Sequence, residues 1–81
     1  METDIDRWLS FAVRVENQLQ TINNDVYSER YIAGISTLLS ELRSAAAIVK
    51  SSSPADKQER YFRANELAQQ LRNTAHFAHH A

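Results

Sequence analysis

The sequence predicts an all-α protein, and three observations carry that prediction. Apolar residues recur in steps of three and four along three separate stretches, the spacing of one helix face. The 81 residues contain a single glycine and a single proline, too few for the corners of a turn-rich β fold. Two polar interruptions, Asn23-Asn24-Asp25 and Ser51-Ser52-Ser53-Pro54, divide the chain into three helical lengths. The expected architecture is an up-down-up three-helix bundle, or an extended helical hairpin, completed by oligomerisation. The whole chain, 1–81, reads as one helical domain with helices over about 4–23, 26–50 and 54–79.

The first stripe runs Ile5, Trp8, Ala12, Val15, Leu19, Ile22 and Val26. Thr3 and Asp6 stand at capping-box spacing, and Asp4 and Asp6 place negative charge where the helix dipole favours it. Leu9, Phe11 and Val13 lie off the stripe, so the start of this helix is apolar around more than half its circumference. Asn23-Asn24-Asp25 is poor in helix formers and rich in capping residues, with Asn24 or Asp25 expected to cap the next helix.

The second stripe is Ile32, Ile35, Leu39, Leu42, Ala46 and Val49, widened by Tyr31, Leu38 and Ala45. The step of six from Val26 to Ile32 breaks the register and argues against one long rod. Gly34 costs this helix about 1 kcal/mol relative to alanine, which suggests that it permits a close helix approach. Ser53 fits an N-cap, Pro54 the first helical position and Asp56 the capping-box acid. The third stripe follows as Tyr61, Ala64, Ala68, Leu71, Ala75 and Ala78, flanked by Phe62, Leu67 and Phe77. Glu59 and Arg63 stand at i,i+4 and predict an ion pair.

Composition excludes much chemistry. The absence of cysteine removes disulfides, thiol nucleophiles and Cys-ligated zinc, and it fits a reducing cytoplasm. The N-terminus is acidic where a signal peptide is basic. The longest apolar run, Ala45 to Val49, is far short of a membrane span, so a soluble chain is expected. Net charge is −1, and residues 1–27 alone carry −3, which argues against both nucleic acid and anionic lipid surfaces as partners. No Ser-His-Asp set, glycine-rich phosphate loop or acidic dyad can be assembled, so no enzymatic activity and no cofactor are expected.

The three histidines cluster at the end, in Arg72-Asn73-Thr74-Ala75-His76-Phe77-Ala78-His79-His80. His76 and His80 share the i,i+4 spacing of two-His chelation, but no carboxylate follows Glu66 to supply a third ligand, so no metal is expected. Arg72 and His79 resemble the short Arg-x(4–6)-His motif of HEPN domains, all-α modules of which many are dimeric ribonucleases. That resemblance implies an alternative function: an HEPN-like ribonuclease or RNA-binding helical domain, with Arg72 on phosphate and His79 as acid or base. The commonest spacing of the motif puts histidine at position 77, where this chain has Phe77. In length, and in the tyrosine near the start of its last helix, the chain resembles small helical co-chaperones of type III secretion needle subunits, with no shared motif to carry a site across.

The leading expectation is a small cytoplasmic, non-enzymatic protein–protein interaction module: an adaptor, inhibitor or chaperone-like subunit. Trp8, Leu9, Phe11, Val15, Tyr27 and Tyr31 are the residues expected to meet the partner, because aromatic side chains dominate interface energetics. The partner is another protein or a second copy. Eleven of the apolar residues are alanines, so the core is thin. Leu9, Phe11, Val13, Tyr27, Ile48, Phe62 and Phe77 are more than a lone bundle is expected to cover, which predicts a homodimer.

Overall fold

In a computed structural model, which describes residues 2–22 and 27–77 (the side chains of residues 2 and 3 excepted), the chain is all-α. Three helices form: α1, Glu2–Leu19; α2, Glu29–Ser51; and α3, Pro54–Thr74. No strand occurs among the described residues.

Each boundary has a local cause. α1 begins at Glu2, which puts Thr3 inside the first turn and not at the cap. It ends at Leu19, four residues before the expected end. There the backbone tightens, with Thr21 and Ile22 bonding three residues back, and the Thr21 hydroxyl donates to the Gln18 carbonyl at 2.8 Å. The cap of α2 is Ser28, whose hydroxyl accepts from the Tyr31 amide at 3.1 Å; Asn24 and Asp25, the expected caps, lie outside the described residues. Ser51 and Ser52 close α2 by donating from their hydroxyls to the Ile48 carbonyl. These bonds satisfy an acceptor that a helix end leaves orphaned.

Ser53 and Pro54 start α3 where the sequence places them. The Ser53 hydroxyl bonds the Asp56 carboxylate at 3.2 Å and makes no side-chain bond to a backbone amide, so the capping box is only half formed. α3 stops at Thr74, short of residue 79, because the backbone turns at Ala75 (φ −88°, ψ 64°). Arg63 pairs with Glu66 at 3.6 Å and not with Glu59.

The core follows the stripes. Ile5, Ala12 and Val15 of α1, Ile35, Leu39, Leu42, Ala46 and Val49 of α2, and Ala64, Ala68 and Leu71 of α3 are buried, with Ala75 just beyond α3. Leu67, read from the sequence as a flanking residue, is buried with them. Cα atoms extend over 47 × 22 × 17 Å, a cross-section that confines the core to the seam between the helices.

Polar ties fix which helix ends meet. Tyr31 at the start of α2 donates to the Thr74 carbonyl at the end of α3 (2.5 Å), and Arg60 reaches the Ser52 hydroxyl at 2.9 Å. Between α1 and α2, Arg43 pairs with Glu16 at 2.7 Å and Lys50 with Asp6 at 3.4 Å.

Gly34 does not mediate a close approach. It is exposed, and a Cβ there would meet nothing within 4 Å. α2 is long and apolar enough by length and composition to cross a membrane, with a mean hydropathy of 1.4 over 18 residues. Counting only uninterrupted apolar runs misses this, because the serines and threonine between its apolar residues lower the mean only slightly. In this fold the apolar face of α2 is core.

Candidate functional site: a groove between α1 and α3

Trp8 and Phe11 project from α1 beside the core without being enclosed by it. Both are half-buried, and Trp8 packs against both ends of the core with its ring 5.3 Å from that of Tyr61. Opposite them α3 presents Ala68, whose methyl group leaves the space unfilled. The result is an open groove of about 630 Å³, floored by Leu42 of α2 and walled by Trp8, Phe11 and Ala68.

Charged and polar groups rim this groove. Arg7 and Arg14 stand on the α1 side, Gln69 and Arg72 on the α3 side, and Asp4 and Asp6 near the start of α1. The two carboxylates are already engaged: Asp4 accepts from the Tyr61 hydroxyl at 2.6 Å and Asp6 pairs with Lys50. The bond to Asp4, followed by desolvation, holds the Tyr61 hydroxyl above its ordinary pKa, so it stays a neutral donor. Arg7 and Arg14 make no ion pair among the described residues.

A second, shallower recess of about 390 Å³ lies among Ala45, Ile48, Arg60 and Arg63. Both of its cations are committed, Arg60 to Ser52 and Arg63 to Glu66.

Of the six residues expected at a partner surface, the structure brings only Trp8 and Phe11 into the groove. Val15 is fully buried in the core, because it lies on the inner stripe three residues after Ala12; it offers no surface to a partner. Leu9 is half-buried against the part of the core that contains Ile5 and Val49. Tyr27 and Tyr31 form a separate aromatic cluster with Phe77: the two tyrosine rings stack at 5.1 Å and 16°, and Phe77 tilts on Tyr27 at 5.9 Å. Desolvation, then the neighbouring Tyr27, raises the pKa of the Tyr31 hydroxyl.

Of the seven apolar residues that a lone bundle was not expected to cover, Leu9, Phe11, Tyr27 and Phe77 are at least half covered by this chain. Val13, Ile48 and Phe62 remain 50%, 47% and 62% exposed. The residues that sequence reasoning missed are Arg7 and Arg14. Their signal was present: seven residues apart, they lie two turns apart on the flank of α1 next to Phe11.

Among the described residues no cluster of three metal-ligating side chains occurs. His79 and His80 lie outside the described residues, and α3 ends before His76. The helical spacing expected to align His76 with His80, and Arg72 with His79, therefore does not continue through His76 and Phe77.

Fold and groove together define an all-α chain, with three helices among the described residues and an aromatic, arginine-flanked cleft. No family model matches it, and neither a curated protein nor a solved structure does.

Proposed function

We propose that this chain is a small, non-enzymatic protein–protein interaction module of the cytoplasm, acting as an adaptor, inhibitor or chaperone-like subunit through surface complementarity. One observation carries the reading: Trp8 and Phe11 stand partly exposed in an open groove with arginines on both rims. Tryptophan and arginine are the residue types most enriched among the side chains that dominate binding energy. A solvated aromatic pair over an apolar floor loses water favourably when a partner covers it.

An up-down-up order of the helices belongs to the same reading. It is supported by the end-to-end ties Tyr31–Thr74, Lys50–Asp6 and Tyr61–Asp4. Self-association is a further part of it, supported by the exposed Val13 and Ile48. Light scattering at micromolar concentration is expected to give the mass of two chains.

The central test is capture of a partner from the native cell with the Phe11→Asp chain, followed by circular dichroism. Phe62→Asp, on the solvent face of α3, serves as the control. Loss of capture by a folded Phe11→Asp chain, with Phe62→Asp unaffected, is the expected result. Undiminished capture by folded Phe11→Asp overturns the reading. Should Asp at position 11 unfold the chain, Phe11→Ser applies the same test with a smaller perturbation.

A further inference from the structure

We propose that the groove between α1 and α3 receives an acidic amphipathic helix of a partner protein. Its carboxylates pair with Arg7 and Arg14, and its apolar side chains enter between Trp8, Phe11 and Ala68. The proposal rests on the interaction-module reading and specifies the partner's chemistry.

Charge complementarity selects this occupant. The chain as a whole carries −1 and its first 27 residues −3, so positive charge on α1 is local and not diffuse. Around the groove the acids are spoken for, Asp4 by Tyr61 and Asp6 by Lys50. Arg7 and Arg14 make no ion pair among the described residues. Guanidinium groups pair carboxylates through two parallel hydrogen bonds, which gives orientation as well as attraction.

Spacing selects a helix. Seven residues at 1.5 Å each separate Arg7 from Arg14 by about 10.5 Å along α1. A helix laid along the groove presents carboxylates at positions i and i+7 with the same separation. Between them, on the same face, residues i+3 and i+4 point into the groove. An RNA strand fits less well: it brings a phosphate at every nucleotide past Asp4 and Asp6, whereas a helix places charge only where the arginines are.

Trp8 is the single tryptophan of the chain and lines the groove, so its fluorescence reports occupancy. The probes are two tryptophan-free peptides of about 18 residues with identical leucines at i+3 and i+4. One carries glutamate at i and i+7, the other lysine. Titrated into the full chain at low salt, the glutamate peptide is expected to shift Trp8 emission and to bind at least about tenfold more tightly than the lysine peptide. The double variant Arg7→Glu, Arg14→Glu is expected to keep its helical circular dichroism and to reverse that preference.

Equal affinity for the two peptides, no binding of the glutamate peptide, or an unchanged preference in the folded double variant overturns the proposal. Tighter binding of oligouridylate overturns it in favour of RNA. A two-chain mass that the double variant reduces to one overturns it in favour of a second copy. If the proposal fails while folded Phe11→Asp still loses its partner, the interaction-module reading stands and only the partner's chemistry falls.

Discussion

The Tyr61 hydroxyl donates a 2.6 Å hydrogen bond to a carboxylate oxygen of Asp4, tying α3 to the first turn of α1. The Trp8 ring rests against the Tyr61 ring at this junction, so the contact that joins the two helices also supports one wall of the groove.

Tyr61→Phe keeps the ring and removes the donor, and is expected to destabilise the chain by about 1 kcal/mol at neutral pH. The raised pKa of Tyr61 also fixes the sign of an alkaline effect. Its contribution is fully present below the ordinary tyrosine value of 10.0 and is lost as pH rises through the higher folded value. Urea unfolding followed by Trp8 fluorescence is expected to show wild type and Tyr61→Phe converging above that range. Parallel curves at all pH values contradict the assignment.

At the acid end the pair to watch is Glu16–Arg43. The Arg43 guanidinium, by its hydrogen bond and then by its charge, holds the Glu16 carboxyl below its ordinary 4.5. A lowered carboxylate pKa contributes stability above the unfolded value, and that contribution disappears as pH falls through the folded one. Glu16→Gln is thus expected to melt lower than wild type at neutral pH and to match it once the pH has fallen below the folded value of Glu16. Salt narrows the neutral-pH gap, since both side chains are about 40% exposed.

Gly34→Ala is expected to stabilise the chain by about 1 kcal/mol, the helix-propensity difference between the two residues. The site has ordinary negative φ and open space for the methyl group. A thermal melt reads this as a rise of about 4–8 °C for a chain of this size. A fall in Tm signals a neighbour that the methyl group displaces.

Two apolar truncations separate core from surface. Leu42 is fully buried, so Leu42→Ala is expected to cost about 2–5 kcal/mol through lost burial and the cavity left behind. Phe62 is 62% exposed on α3, and Phe62→Ser is expected to stay within about 0.5 kcal/mol of wild type. Denaturant midpoints of the two variants decide the matter, and a large loss at Phe62 shows that a second chain covers it.

By itself the sequence determined the helical class and most of the core. Ile5, Ala12, Ile35, Leu42, Ala64 and Leu71 are buried where their stripes put them, because a helix buries one face as a unit and the period of that face is written in the chain. It also determined the start of α3, since proline is favoured only in a first turn. The sequence left the cap of α2 open, because several polar side chains compete there; Ser28, three residues before Tyr31, accepts from its amide. The tertiary structure alone decided the end of α3, where the Thr74 carbonyl meets the Tyr31 hydroxyl, a partner 43 residues away in the chain. Among the flanking residues it covered Phe11 and Phe77 in part but left Phe62 to solvent, since coverage depends on where neighbouring helices pass. The charge balance of the groove is tertiary for the same reason. Arg7 and Arg14 dominate its α1 rim because Asp4 and Asp6 find partners 57 and 44 residues away, and local spacing carries no trace of contacts so distant.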